Sequence, residues 1–113
     1  MNVVAVAGSL SRPAEERVLA SGARLISYEV TTAGPEGKAE TVPVVWFDPP
    51  ASASGLDEGT KIVAIGRVRR RFFRTAAGVA SRTEIVVSTL VVSTRTKAVK
   101  AALTAAAGVL SAE

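Results

Sequence analysis

The chain has 113 residues, which suits one domain with a single core, and its apolar fraction of 48% with 21% charged residues is typical of a globular protein. It contains no cysteine and no histidine, which excludes disulfides, zinc fingers and cysteine or histidine nucleophiles. No apolar run approaches the roughly 20 residues that span a bilayer, so we expect a soluble protein without a membrane partner.

The N-terminus lacks the features of a secretory signal, so we expect a cytoplasmic location. Paired acids occur only at Glu15-Glu16 and Asp57-Glu58, and such neighbours are typical of solvated turns. Because an active site needs acid, base and orienting groups together, we expect a non-enzymatic protein with no catalytic residue, metal or cofactor.

The charges are distributed unevenly along the chain. Residues 1–60 hold four basic and eight acidic side chains, whereas residues 61–100 hold ten basic side chains and one acidic, Glu84. A strongly cationic half predicts a polyanionic partner, although a basic surface also serves solubility.

In chain order, five segments have the composition of strands: residues 1–7, 23–32, 40–47, 61–74 and 82–92. The third contains Pro43, which indicates an edge or a bulge. Pro49-Pro50 and the small residues up to Gly59 predict a linker or a poor short helix. Five short strands with one possible helix between the third and fourth fit a closed or partly open barrel, with a β-sandwich as the alternative.

The C-terminal stretch is rich in alanine and has helical spacing. Val99, Leu103, Ala106 and Leu110 form one apolar stripe within residues 97–113. We therefore expect a β domain over residues 1–95 and a helix-like extension over residues 96–113, whose stripe packs on the barrel or on a partner.

The most informative segment is residues 66–74, Gly-Arg-Val-Arg-Arg-Arg-Phe-Phe-Arg. Strand side chains alternate between faces, so Arg67, Arg69, Arg71 and Phe73 project from one side, and Val68, Arg70 and Phe72 from the other. Guanidinium groups pair with phosphates and stack on bases, and a phenyl ring is a platform for any base. This pattern favours binding of an unpaired nucleic-acid strand.

The alternative for the same segment is a solvated edge that discourages aggregation, with Phe72 and Phe73 both in the core. Adjacent strand residues cannot share a face, which opposes this alternative. Val63 and Ile65 share parity with Arg67, so either the strand leaves the core partway or a bulge near Gly66 switches its faces.

Alternation also separates Trp46 from Phe47. On a regular strand one of them points outward and is available to bases, unless a bulge buries both. Parity alone does not choose between them.

Taken together, these residues resemble the bacterial single-stranded DNA-binding proteins that have an OB fold. The matching positions are Met1-Asn2-Val3, Gly8, Leu10, Arg12, Glu15, Arg17, Ser21-Gly22, Val44-Val45, Phe47, Gly66-Arg67-Val68-Arg69 and residues 82–87, Arg-Thr-Glu-Ile-Val-Val. They cover residues 1–92, and their order and spacing carry the resemblance.

The resemblance implies an all-β, five-stranded OB-fold barrel over residues 1–95, a homotetramer, and binding of single-stranded DNA in replication, recombination or repair. It places Phe47, rather than Trp46, and Phe73 on base-stacking positions. The basic strand that it lays against phosphates carries Arg67, Arg69 and Arg71, and we expect Arg74 to track phosphates with them.

The chain also departs from this family. Thr41 stands at the position of a stacking tryptophan and Pro43 at a basic position, and the loop at residues 33–39 has no aromatic residue. Each lost platform is expected to remove roughly 1–3 kcal/mol per base, which predicts lower affinity or a shorter occluded site. The family has a flexible linker and an acidic tip that recruit replication and repair enzymes, whereas this sequence has the alanine-rich segment and Glu113 there. We therefore expect a paralogue specialised for coating DNA that lacks the acidic recruitment tip, with replication and repair proteins kept as candidate partners.

Two other functions remain open. The first is an OB-fold interaction module that binds a replication or repair protein, with weak DNA binding, as the lost tryptophan position suggests. The second is RNA chaperoning, which uses the same surface chemistry and is separated from DNA binding by competition between DNA and RNA oligomers.

Overall fold

The computed structural model of the protein describes residues 1–112. Within them the elements are β1 (Val4–Leu10), β2 (Glu15–Val18), β3 (Arg24–Ala33), β4 (Ala39–Phe47), β5 (Lys61–Thr75), β6 (Gly78–Val92) and α1 (Thr96–Ala112). Short 3₁₀ helices at Pro35–Gly37 and Ala51–Ala53 follow β3 and β4. The second occupies the connection for which the sequence predicts a linker or a poor helix. The predicted extension ends at Glu113, which lies outside the described residues.

Five of the strands pair in a closed ring. The order is β1-β5-β6-β4-β3, and β3 returns to β1 through Ser9↔Thr31 and Leu10↔Val30. All pairings in the ring are antiparallel except β4 with β6, which is parallel and covers two residue pairs. This ring with its C-terminal helix is consistent with an OB-like all-β fold, and the predicted fold class is confirmed.

β2 is the strand that the sequence analysis missed. Within the part of the chain that the structure describes it pairs with β3 alone, outside the ring, and all four of its residues are exposed. Its sequence, Glu-Glu-Arg-Val, has no apolar alternation because neither of its faces contributes to a core. β6 also begins earlier than predicted, at Gly78. Its first residues are mostly small or polar, and they pair with β5 without contributing to the core.

The main core lies inside the ring. Alternate strand residues supply it: Leu10, Ile26, Tyr28, Val30, Val44, Trp46, Ile62, Ala64, Ile85, Val87 and Leu90. The Tyr28 hydroxyl donates a hydrogen bond to the carbonyl oxygen of Ala53 at 3.3 Å. Burial, with a smaller contribution from the charge of Glu16, raises the pKa of Tyr28 to about 12.

A second buried layer lies outside the ring, beneath α1. Val63 and Ile65 of β5 pack there against Ala102. They lie on the same face of β5 as Arg67, and α1 covers that face over Val63 and Ile65. The alternation of β5 therefore continues without a switch of faces. This accounts for the shared parity of apolar and basic residues on β5.

The helix contacts the sheet through small side chains. Val99, Ala102 and Ala106 belong to the second layer. Leu103 and Leu110, which the predicted stripe includes, are 44% and 51% exposed. Of the predicted stripe, Val99 and Ala106 therefore pack on the sheet, whereas Leu103 and Leu110 do not.

A β-bulge interrupts the pairing of β5 with β6 near Gly66, but β5 keeps its alternation through it, so the sequence-based alternative in which a bulge switches the faces of β5 is wrong. Ile65 pairs with Thr89 and Gly66 with Val87, which leaves Ser88 as the extra residue. The bulge lies on β6, so it shifts the parity of β6 and not of β5. A Cβ at Gly66 would clash with the Val86 carbonyl oxygen and lie 2.6 Å from the Val87 Cα, so glycine permits this close approach.

Pro43 lies at an edge, as predicted. β4 pairs with β6 only from Val44 onward, so on that side of β4 Pro43 has no strand partner in the described chain.

The helices within residues 1–112 all fall short of the length and hydropathy that a bilayer crossing needs.

Candidate nucleic-acid interface

β5 and β6 form a hairpin that extends beyond the ring. The pairing of β1 with β5 reaches Gly66, and the pairing of β4 with β6 begins at Ile85, whereas β5 and β6 pair with each other out to Thr75↔Gly78. We call residues 69–84 the hairpin arm. At a rise of about 3.3 Å per residue, the arm projects about 20 Å.

The base of the arm is anchored by Asn2. Its side-chain amide donates to the Val68 carbonyl oxygen at 2.7 Å, and its amide oxygen accepts from the Val68 N–H at 2.9 Å. These two bonds extend the contact with β5 by two residues beyond the Val4↔Gly66 pair, to the point at which the arm becomes a two-stranded ribbon.

Strand alternation gives the arm two faces. The front face carries Arg69, Arg71 and Phe73 with their cross-strand partners Glu84, Arg82 and Ala80. The reverse face carries Arg70, Phe72 and Arg74 with their partners Thr83, Ser81 and Val79. The front face continues the outer surface of the ring.

Phe47 lies on that same outer surface. Its neighbour Trp46 is 8% exposed inside the ring, whereas Phe47 is 38% exposed. The Cζ atom of Arg69 lies 5.3 Å from the centroid of the Phe47 ring. These two residues are far apart in the sequence and are brought together because β4 pairs with β6 and β6 pairs with β5.

A second arginine lies over a second phenyl ring. The Cζ atom of Arg71 is 5.2 Å from the centroid of Phe73, whose side chain is 37% exposed. Cation–π attraction holds each guanidinium near its ring. The front face therefore presents two guanidinium–phenyl pairs, and a base can stack on the ring or on the guanidinium plane of each pair.

Glu84 lies beneath these arginines and is 2% exposed. Its carboxylate accepts a 2.5 Å hydrogen bond from Arg69 Nη2 and lies 3.6 Å from Arg71 Nε and 3.9 Å from Arg82 Nε. One buried anion thus faces three cations, which compensates its burial and leaves the front face net positive. Arg69 Nε is buried and has no hydrogen-bond partner among residues 1–112, so Arg69 is held there by one side of its guanidinium.

The front face is concave. A cleft of about 340 Å³ is lined by Arg17, Leu19, Leu25, Ser27, Val45, Phe47, Arg69, Arg71, Arg82 and Glu84. Arg17 and Arg82 add cations that the sequence analysis did not assign to the site. The hairpin register brings Arg82 opposite Arg71, and β2, which was not predicted, brings Arg17.

The structure brings together four of the six sequence-predicted site residues, Phe47, Arg69, Arg71 and Phe73. Arg67 lies on the same side of β5 but borders a separate groove beside α1. Arg74 lies on the reverse face, opposite Val79, because it is one residue out of phase with Phe73.

The outward-facing residues of β4, which we call its outward row, explain why the cleft has few aromatic side chains. Pro43 and Thr41 share the orientation of Phe47, two and three steps of alternation away, and neither is aromatic. Phe47 is therefore the stacking side chain that β4 offers on this surface.

Comparison with known proteins assigns no family. No protein-family model matches the chain, and no curated protein matches it. What the chain binds is therefore inferred from the chemistry of its front face.

Proposed function

We propose that the protein binds single-stranded nucleic acid without reading its sequence, single-stranded DNA foremost, and protects it in replication, recombination or repair. One observation carries this proposal: two guanidinium–phenyl pairs, Arg69 with Phe47 and Arg71 with Phe73, lie on one concave, net positive face. The protein acts as a binding protein and not as an enzyme.

The two groups in each pair suit the two parts of a nucleotide. Guanidinium forks match phosphate oxygens, and phenyl rings stack on any base, so neither contact depends on base identity. Unpaired strands expose their bases, whereas a duplex hides them, which favours a single-stranded ligand.

Glu84 orients the arginine side chains of this surface. Because its carboxylate holds Arg69 and faces Arg71 and Arg82, the guanidinium groups are positioned before a strand arrives. Preorganisation reduces the entropy lost on binding. Arg71 and Arg82 remain about half exposed and are the front-face cations best placed to meet phosphates.

The ring of five strands and its front face also support a proposed place among the OB-fold single-stranded DNA-binding proteins, with the homotetramer that this family implies. The second candidate function is a protein-interaction module with weak DNA binding. The observation favouring it is the outward row of β4, which carries only one aromatic residue within the described chain.

The proposal is tested by titrating a labelled oligo-dT with the protein at several salt concentrations, with mass determination of each complex. Binding by about four phosphate contacts predicts a slope of log affinity against log salt near −3. The label belongs on the DNA, because Trp46 lies inside the ring and is 8% exposed, away from stacking bases.

Failure of the folded protein to bind oligo-dT at low salt would overturn the proposal. Co-purification of a protein partner in that case would favour the interaction module. Tighter binding of RNA than of DNA in competition would assign the same surface to RNA chaperoning.

A further inference from the structure

The reverse face of the hairpin arm repeats the chemistry of the front face. Phe72 is 64% exposed there, more than Phe47 or Phe73. The Cζ atom of Arg70 lies 5.3 Å from the centroid of the Phe72 ring. The Arg70 side chain is also held in place, since its Nε and Nη2 donate to Ser81 Oγ at 3.2 and 3.0 Å.

The charged side chains on the reverse face of the arm are all positive. It carries the guanidinium groups of Arg70 and Arg74, and the cross-strand partners there are Thr83, Ser81 and Val79. The acidic residue of the arm, Glu84, lies on the front face. Within residues 69–84, the reverse face therefore has two cations, an exposed phenyl ring and no carboxylate.

The arm is also open at both edges. The β1 pairing with β5 stops at Gly66 and the β4 pairing with β6 starts at Ile85, so neither strand of the arm has an outer strand partner in the described part of the chain. A ligand on the front face can pass an edge without displacing another element.

We infer that the reverse face, through Phe72, Arg70 and Arg74, is a second contact for single-stranded nucleic acid. It rests on the proposed function: the strand that occupies the front face continues across an edge of the arm and stacks a further base on Phe72. The arm is then held between two segments of one strand.

A second copy of this chain fits the reverse face less well. In a two-fold contact between reverse faces, Arg70 and Arg74 would meet the same two arginines of the second copy, and like charges repel at such a contact. Three side chains on a narrow ribbon also fall well short of the roughly 800 Å² per partner in a stable interface. A polyanion meets both cations favourably.

The experiment compares two adjacent residues on opposite faces, Phe72→Ala and Phe73→Ala, for binding to labelled oligo-dT of increasing length. Oligomers at the short end of the roughly 4–16 nucleotides that an OB fold occupies fill only the front face. For these we expect Phe73→Ala to weaken binding and Phe72→Ala to match the unaltered protein. For longer oligomers we expect Phe72→Ala to lose about five- to hundredfold in affinity and to occlude a shorter site.

Phe72→Trp serves as the rescue variant, because it restores an aromatic platform, and long-oligomer binding is expected to return. If Phe72→Ala matches the unaltered protein at every length while Phe73→Ala weakens binding, the second contact is overturned and the proposed function stands. If the unaltered protein binds no oligomer, the proposed function itself fails. A fall in oligomer mass in Phe72→Ala without any change in DNA binding would assign the face to a second copy and also overturn the inference.

Discussion

Arg69 donates a 2.5 Å hydrogen bond to the buried carboxylate of Glu84, and the same guanidinium lies 5.3 Å from the centroid of the Phe47 ring. Arg69 thus joins the arm to the ring of strands. It contacts an anion on the neighbouring strand and an aromatic side chain on β4.

Glu84→Gln is expected to reduce the free energy of unfolding by about 1.5–3 kcal/mol, the range for a hydrogen bond to a charged group, because Glu84 is 2% exposed and compensates three arginines. Urea denaturation measures the loss. Glu15→Gln on the exposed strand β2 is the control and is expected to change stability by no more than about 0.5 kcal/mol. Equal stability of the two variants would contradict the structural role of Glu84.

Phe47→Ala and Phe73→Ala are each expected to weaken oligo-dT binding by about 1–3 kcal/mol, because each removes one stacking platform. The salt slope is expected to stay constant, since no phosphate contact is lost. Anisotropy titrations at several salt concentrations report both quantities. Leu103→Ala, an exposed apolar change on α1, is the control and is expected to leave affinity unaltered.

Arg71→Ala is expected to flatten the salt dependence by about 0.7 in slope, the contribution of one phosphate on a single strand. Arg71→Lys keeps the charge and is expected to keep the slope while losing the stacked guanidinium plane. An unchanged slope in Arg71→Ala would show that Arg71 does not meet a phosphate.

Stability is expected to fall at high pH through Tyr28, the single tyrosine in the chain. Its pKa is raised to about 12 in the folded state, whereas an unfolded tyrosine titrates near 10. The unfolded state therefore releases the proton first, so the stabilisation is complete below about pH 10 and is lost as the pH rises through 12.

The loss is on the order of 2–3 kcal/mol for a shift of about two pKa units. Alkaline absorbance titration of tyrosinate gives the folded pKa, and urea denaturation between pH 9 and 12 gives the stability. Tyr28→Phe is the control and is expected to remove this part of the pH dependence. A tyrosinate titration near pH 10 in the folded protein would contradict the prediction.

Two glycine-to-alanine changes are expected to have opposite signs. Gly66→Ala places a Cβ against the Val86 carbonyl oxygen at the bulge, so backbone must move and stability is expected to fall. Gly108→Ala lies within α1, where an added Cβ meets nothing within 4 Å, and helix propensity predicts a gain of up to about 1 kcal/mol. Thermal denaturation of both variants tests the pair.

Local patterns in the sequence were enough for an all-β domain and for the division of the arm into two faces, whereas the choice of an OB-fold barrel over a sandwich came from the family resemblance. Alternation with period two is a property of a few neighbouring residues, so Phe72 and Phe73 separate whatever the rest of the chain does. The concentration of positive charge after residue 60 is equally visible without coordinates. The residues of β2, by contrast, carry no apolar alternation, and the strand was missed.

Tertiary structure alone decided which face of the arm meets Phe47, that Glu84 is buried under three arginines, and that Val63 and Ile65 pack beneath α1. Each of these depends on strand register, ring closure or helix docking, which join residues far apart in the chain. A single sequence records what each segment prefers, whereas the choice of partner is made by the packing of all segments at once.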